Sequence, residues 1–517
     1  MYKLLILMIF ISSTVIGQSS PKAILGQEID GEDIELISII GNNQENTFVL
    51  KSLSEKPDVK YLIEKYNQGL KKVASNEIMS VNTKELRKKG DGILPVLKFI
   101  QLKEDIFLIE EEQELEKITL RLKKVDQMAL TIDKETTHTI ELDFWESYEL
   151  KYSSDKSKFL IHSLTSNKKE LSLYVYDVEA TKIWNKVLKL PYKDELFDVR
   201  DVQFDNDGNV FVIGVEYAND RKRTVGGKAN YKFKIYSYTN NGESSADYEV
   251  KDKGLFLSEI KMNSEGSQLV FGGFYADEYK LKIQGAFYFL LNKESLNEEF
   301  NSFEKFTISE KLIGSREIQK MRNKVFSGHN PDVFTYDLVE IKLNKNDEIL
   351  LIGEQRYIVA SSSVSSTAKN GNPNNRDVEF NSSERSPSDD IIVVNMKSTG
   401  KINWVTVIPK EQDGLCFNCS SFSSLLIDSQ LYVFYNDMAK NIGQTKGEKI
   451  KRHNPFFNDD MVMAKVDENG KITQKVLFDS SFFHFSIPST YQASNNEMLY
   501  VGATNKGKTK KLAKITF

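Results

Sequence analysis

The sequence predicts an all-β protein, a single closed β-propeller built from four-stranded blades. Three observations favour this fold class. A hairpin pattern recurs along the chain, many of its second strands are continuously apolar, and an amphipathic hairpin follows in most units. Eight units predict eight blades. Seven blades is the first alternative, because the first two units are weakly patterned, and two β-sandwiches are the second.

The composition excludes several classes of function. The chain has 517 residues, five histidines, two cysteines and a formal net charge of -5. These counts exclude a multi-metal or zinc-ribbon protein, and the acidic balance argues against a dedicated nucleic-acid binder. The length would suggest roughly three domains of about 150 residues, but a repeat architecture replaces that expectation with one ring.

The N-terminus has the pattern of a secretory signal peptide. Lys3 precedes an uninterrupted apolar run over residues 4–11, and Gly17 supplies the small residue of a cleavage site. The run is too short to span a bilayer. We therefore expect a signal peptide over residues 1–17, a propeller over residues 18–517, and export to the periplasm or the extracellular space.

The repeat is anchored on polar turns. In the clearest copy, Phe204–Gly214, a turn at Gly208 leads into the apolar run Val210–Ile213. Gly, Asn, Asp and Ser tolerate the backbone angles that such turns require. The eight anchors are Asn46, Glu104, Ser157, Gly208, Gly266, Asp347, Ser429 and Asn496.

The two ends of the chain predict a shared closing blade. After Asn496 there is room for only two strands, and a spare strand lies near residues 22–29. If that strand completes the last blade, the ring has no open sheet edge. A helical insertion is expected over residues 309–326, where apolar residues have helical spacing.

Several segments resemble known propellers. Residues 190–197, 230–235, 336–357 and 390–395 resemble a group of exported bacterial proteins of β-propeller type. Residues 394–404 are similar, more weakly, to the repeat of quinoprotein-type eight-bladed propellers, and residues 176–184 match it in part. That resemblance implies that Gly400 and Trp404 dock adjacent blades. The sequence lacks the adjacent cysteine pair that quinoprotein dehydrogenases use beside a calcium site.

Cys416 and Cys419 form the only cysteine pair. In an exported protein a structural disulfide is the simplest interpretation. A redox-active CxxC motif, a metal half-site and free thiols are the alternatives.

No catalytic residue is nominated. The histidines lack metal-binding spacing, no GxSxG elbow occurs, and the Asp205–Gly208 segment is interpreted as a turn rather than a calcium loop. The sequence therefore suggests no metal and no cofactor.

Three insertions fall between second and third strands, over residues 218–230, 360–390 and 440–457, and should emerge on one face of the ring. We expect residues 361–390 to be disordered because they are rich in Ser and Asn. The other two insertions are basic. They supply the candidate ligand-binding residues Arg221, Lys222, Arg223, Lys228, Lys446, Lys449, Lys451 and Arg452.

The leading functional hypothesis is an exported, monomeric, non-catalytic binding or scaffold protein that uses this loop-rich face. An anionic glycan, a lipid head group or an envelope protein would be its partner. One alternative is an enzyme, either a glycan-active hydrolase or lyase or a divergent quinoprotein-type oxidoreductase. The other is a structural component of a cell-envelope complex.

Overall fold

A computed structural model describes residues 21–517 with gaps. The gaps are 30–33, 86–96, 115–116, 143–147, 165–169, 190–195, 219–223, 226–227, 250–254, 264–267, 278–284, 307–335, 347, 357–358, 370–371, 386, 413–419, 445–459, 479–482, 487–489 and 505–508. The chain is all-β, and eight sheets follow one another as the blades of a propeller. The predicted fold class and the predicted number of blades are confirmed.

Each of the first seven blades is an antiparallel sheet whose strands follow chain order from the inside outward. Blades one and two contain β2 (Ile34–Asn42), β3 (Asn46–Glu55), β4 (Asp58–Asn67), β5 (Lys72–Asn82), β6 (Lys98–Leu102), β7 (Asp105–Glu114), β8 (Lys117–Asp126) and β9 (Thr131–Leu142). Blades three and four contain β10 (Glu149–Tyr152), β11 (Lys158–Leu164), β12 (Glu170–Asp177), β13 (Lys182–Lys189), β14 (Phe197–Phe204), β15 (Val210–Tyr217), β18 (Tyr231–Thr239) and β19 (Gly242–Glu249).

The later blades follow the same order. Blades five and six contain β20 (Leu255–Asn263), β21 (Gln268–Asp277), β22 (Gly285–Asn292), β23 (Glu298–Lys305), β24 (Tyr336–Leu343), β25 (Ile349–Arg356), β28 (Ser388–Met396) and β29 (Ile402–Gln412). Blade seven contains β30 (Ser423–Ile427), β31 (Gln430–Asp437), β32 (Asp460–Val466) and β33 (Ile472–Phe478). A short 3-10 turn, Ala439–Asn441, follows β31.

The eighth blade joins the two ends of the chain. It contains β34 (Phe483–Phe485), β35 (Tyr491–Ser494), β36 (Glu497–Thr504), β37 (Lys510–Thr516) and β1 (Lys22–Ile29). Strand β1 pairs antiparallel with β37, with Lys22 opposite Thr516 and Ile29 opposite Lys510. The first strand thus covers the outer edge of the last hairpin, so that edge is not open to another chain.

Asparagine and aspartate side chains fix the hairpin turns. In the first turn of blade four, Asp205 Oδ1 accepts hydrogen bonds from the backbone N–H groups of Asp207 (3.0 Å) and Asn209 (2.8 Å), and Gly208 has φ +89°. Lys293 Nζ lies 3.0 Å from Asp205 Oδ2. Both carboxylate oxygens therefore stabilise the turn, which confirms the turn interpretation of this segment.

Neighbouring blades dock through aromatic side chains on outer strands. Trp404 on β29 donates from Nε1 to the carbonyl oxygen of Glu468 at 2.8 Å, and its ring covers Gly470, which has φ +77°. Trp184 on β13 donates to the carbonyl oxygen of Gly208 at 3.1 Å. A tryptophan of one blade thus holds a hairpin turn of the next blade, and apolar clusters between adjacent sheets form the core.

Two small hairpins extend from the blades between second and third strands. One pairs β16 (Thr224–Val225) with β17 (Lys228–Ala229), and the other pairs β26 (Val359–Lys369) with β27 (Asn372–Arg385). The expectation that residues 361–390 are disordered is therefore wrong. An antiparallel ladder pairs the facing edges of the two strands despite the polar composition.

The predicted helix over residues 309–326 lies outside the described residues. In the part of the chain that the structure covers, no helix is long and apolar enough to cross a membrane.

Candidate binding site at the mouth of the central channel

A cavity of about 1450 Å³ opens where the inner strands of the blades converge. The first turns of blades one, two, three and eight form part of its wall. The inner strands of blades four, six and seven contribute Gln203, Glu340 and Leu425, and the β4–β5 turn of blade one contributes Gln68. We call this cavity the channel mouth. It lies on the face opposite the β16–β17 and β26–β27 hairpins, because first turns and second-to-third connections leave opposite ends of the second strand.

Eight of the 24 residues in the wall of the channel mouth carry amide side chains. The charged residues in its wall nearly balance, with three lysines against four carboxylates. An amide group both donates and accepts hydrogen bonds, as a hydroxyl group does. The eight amide residues are Asn42, Asn43, Gln44, Gln68, Gln101, Gln203, Gln492 and Asn495.

Gln101 ties three blades together in this wall. Its Nε2 donates to the carbonyl oxygens of Asn42 (2.5 Å) and Lys103 (2.8 Å), and its Oε1 accepts from the Asn42 backbone N–H at 3.1 Å. The Tyr491 hydroxyl of blade eight also donates to Gln101 Oε1. The side chain is nearly buried and its amide is fully engaged, so Gln101 holds the wall rather than offering free groups to a ligand.

A smaller recess of about 370 Å³ adjoins the channel mouth, and the two share Gln101, Tyr152, Lys156 and Gln492. Its remaining wall comes from blades one and two, largely through apolar residues such as Ile39 and Phe99, and from Thr490 and Tyr491 of blade eight. This recess therefore combines an apolar floor with a polar rim, the usual composition of a small-molecule site.

Lys156 and Tyr491 meet in the recess. Lys156 Nζ donates to the Tyr491 hydroxyl at 3.1 Å and lies 5.0 Å from the centre of its ring. Burial lowers the pKa of Lys156 and, as the largest cause, raises the pKa of Tyr491. Lys156 sits in the first turn of blade three with φ +54°, and its carbonyl oxygen accepts from the Lys103 N–H at 3.0 Å.

Tyr152 is the exposed aromatic residue of the cavity wall. It ends β10 and is 40% exposed. Desolvation raises the pKa of its phenol to about 12, because the concave wall still surrounds the ring. Its ring can cover the apolar face of a bound molecule while the neighbouring amides bind polar groups.

Three of the four carboxylates in the cavity wall, Asp155, Glu340 and Glu497, have hydrogen-bond or ion-pair partners. Glu340 Oε1 lies 2.5 Å from Lys342 Nζ, and its other oxygen accepts from the Ser424 hydroxyl of blade seven. Asp201 accepts from the Met262 N–H at 2.9 Å and thereby joins blades four and five. Among the described residues, no group of three or more potential ligands could hold a metal ion. These carboxylates fix the walls.

Most of the candidate residues named from the sequence lie outside the described residues. This holds for Arg221, Lys222, Arg223, Lys446, Lys449, Lys451, Arg452, Cys416 and Cys419. For Lys228 only the backbone is described, in β17. The basic face and the cysteine pairing stay predictions.

The sequence did not single out the residues of the channel mouth. Four of the eight turn anchors, Asn46, Glu104, Ser157 and Asn496, adjoin it. None of these turns has the glycine of the clear copy at Gly208, and polar and tyrosine residues stand beside them. The missing glycine in these four turns was therefore the sequence feature that could have pointed to the channel mouth.

Comparisons with known proteins identify the fold of this chain. The sequence matches no protein-family model and no curated protein. Oligopeptidase B from Leishmania major is similar in structure, with 9% identity and a TM-score of 0.39. The match covers 92% of this chain and 54% of that one, so this chain spans about half the length of that protein.

Two further structures are similar over most of their own length. The β-propeller domain of the Trilobed protease from Pyrococcus furiosus has 8% identity and a TM-score of 0.28, and the match covers 77% of this chain and 98% of that one. Polysaccharide lyase Uly1 has 9% identity and a TM-score of 0.31, with 94% and 90% covered. The shared feature is the β-propeller.

Proposed function

We propose that this propeller is a saccharide-binding protein and that the channel mouth is its binding site. The observation that carries the proposal is the wall of the cavity, in which the amide side chains of Gln44, Gln492 and Asn495 line an opening that Tyr152 borders. Sugar hydroxyls both donate and accept, and amides match them on both counts. The exposed ring of Tyr152 provides a surface for the apolar face of a sugar ring.

The size of the channel mouth supports an oligosaccharide rather than a single sugar. Its volume of about 1450 Å³ exceeds the roughly 300–1,000 Å³ of a pocket for one small molecule. Three of the four carboxylates in its wall, Asp155, Glu340 and Glu497, already have hydrogen-bond or ion-pair partners, which favours binding over hydrolysis by a pair of free carboxyl groups.

The wider proposal keeps the expectations from the sequence. The protein would be exported, non-catalytic and monomeric, related to the exported propeller group or to quinoprotein-type propellers. Its loop-rich face would offer a second surface for an anionic envelope ligand. The β16–β17 and β26–β27 hairpins, which stand on that face, favour this second surface.

Titration calorimetry with neutral oligosaccharides tests the main proposal. A panel of cello-, xylo-, manno- and galacto-oligosaccharides at up to about 10 mM would include weak ligands. We expect at least one to bind, and Tyr152→Ala and Gln492→Ala to weaken that binding about tenfold. Met128→Ala is the matched control, because Met128 is 89% exposed and stands in a turn on the same face outside the cavity wall.

Absence of binding across the panel would overturn the proposal. Equal losses in the Met128 variant and the Tyr152 variant would do the same, since the effect would then not belong to the cavity. Binding that needs Arg221 and Lys451 instead would move the function to the loop-rich face.

A further inference from the structure

The recess beside the channel mouth contains a lysine with an incomplete set of partners. An ammonium group has three N–H donors. Within the described part of the chain, Lys156 Nζ has one hydrogen-bond acceptor, the Tyr491 hydroxyl at 3.1 Å, and no carboxylate in ion-pair distance. Its neighbour Asp155 uses Oδ1 in its own turn, accepting from the Ser153 hydroxyl (2.7 Å) and the Ser157 N–H (2.9 Å).

The position of Lys156 is fixed by its surroundings. Its backbone has φ +54° and accepts a hydrogen bond from Lys103, and the ring of Tyr491 lies under its ammonium group. Tyr491 is itself held by Gln101, which blades one and two hold in turn. The charge is therefore oriented before any ligand arrives, which reduces the entropy lost on binding.

We infer that the recess binds an acidic sugar unit and that Lys156 recognises its carboxylate. The inference rests on the proposed saccharide site and names its ligand class. A volume of about 370 Å³ lies at the small end of the usual range for small-molecule pockets and suits one sugar ring. The two remaining donors of Lys156 match a single negative charge, and the apolar floor near Ile39 accommodates the face of the ring.

A pair of matched probes tests the inference. A galacturonic acid tetramer and its methyl ester share the same sugar chain and differ at the carboxyl groups, which are charged in the acid and carry a neutral methyl ester in the other probe. Both are titrated into the protein at about pH 6.5, where a lysine is ordinarily protonated. We expect the acid to bind at least about tenfold more tightly than the ester, as one charge-assisted hydrogen bond allows. Lys156→Met should bind the two forms equally, and Lys156→Arg should keep the preference.

Lys345→Met is the control for a general charge effect. Lys345 stands in the first turn of blade six on the same face, outside the cavity wall, and lies 3.5 Å from Asp428. Its removal lowers the net charge equally and should leave the preference unchanged. Near-ultraviolet circular dichroism of each variant checks that the fold is retained.

Each outcome separates the two proposals. If the acid and the ester bind wild type equally well, the acidic-sugar inference is wrong and the saccharide site stands. If the preference survives in Lys156→Met, another group recognises the charge and the inference is wrong. If neither form binds while a neutral oligosaccharide does, the recess does not take this ligand class. Tighter binding of a sulfated oligosaccharide than of the uronate would also contradict a carboxylate site.

Discussion

Lys410 Nζ donates to Glu354 Oε1 at 2.7 Å, and neither side chain is exposed. Lys410 lies on the outermost strand of blade six and Glu354 on its second strand. The same ammonium group also donates to the Ser388 carbonyl and to Gln412 Oε1, both at 2.9 Å. All three of its donors are used, so the charge is fully compensated inside the protein.

This ion pair also positions Ser421, which lies just before the first strand of blade seven. Glu354 Oε2 accepts from Arg356 Nε at 2.7 Å and from the Ser421 hydroxyl at 2.8 Å. Gln412 accepts from the Ser421 backbone N–H at 2.7 Å. Ser421 has φ +78°, a backbone conformation that its surroundings must hold.

We predict that Lys410→Met lowers the free energy of unfolding by about 3–5 kcal/mol, because Glu354 then loses its buried counter-ion. Urea denaturation followed by fluorescence measures the loss. The double variant Glu354→Gln/Lys410→Met should recover part of it, since no buried charge remains unpaired. A double variant as unstable as the sum of both single variants would contradict this account.

A second prediction concerns the docking of blade six on blade seven at Gly470. A Cβ atom at this position would lie 2.7 Å from Trp404 Cδ2, and the residue has φ +77°. We predict that Gly470→Ala lowers the free energy of unfolding by about 3 kcal/mol, from backbone strain and steric overlap together.

Two other glycines separate these contributions. Gly443 has the same φ of +77° with open space around it, so Gly443→Ala should show the backbone strain alone, about 1–2 kcal/mol. Gly242 has open space and no positive φ, and Gly242→Ala should change stability by less than about 0.5 kcal/mol. Equal losses at Gly470 and Gly443 would show that contact with Trp404 does not matter.

The fold followed from the sequence because its signals are local. The turn at Gly208 and the apolar run after it lie within ten residues of each other, and the same pattern recurs in other blades. The channel mouth has no such signal. Tyr491 meets Gln101 across a separation of 390 residues, and only ring closure brings them together. Whether the Lys156 side chain points into the recess likewise depends on tertiary structure.

The closing strand provides a third prediction. Leu25 of β1 lies opposite Ala513 of β37, which is buried, and Ile29 is itself buried. Deleting residues 1–30 should expose the edge of β37, lower the melting temperature and promote association through that edge. Light scattering after size-exclusion chromatography measures the association. A truncated chain that stays monomeric and equally stable would show that β1 is dispensable.

His162 makes stability depend on pH. Burial, and then the charge of Lys151, lowers the pKa of this histidine to about 4, although Glu149 and Asp201 oppose the shift. In the unfolded chain the same group takes up a proton near its ordinary pKa of about 6.5. Between these two values the unfolded state binds more protons. Stability that His162 contributes above about pH 6.5 is therefore lost progressively as the pH falls towards about 4.

At about pH 5 the expected loss from this one group is about 2 kcal/mol relative to about pH 7.5. Urea denaturation at the two pH values measures it in wild type and in His162→Gln, which cannot take up a proton at this position. The variant should lose about 2 kcal/mol less than wild type on acidification, whatever its stability at neutral pH. A proton NMR titration of His162 gives an independent control. A midpoint near the ordinary histidine value would contradict the prediction, because folding would then leave the proton affinity of the group unchanged.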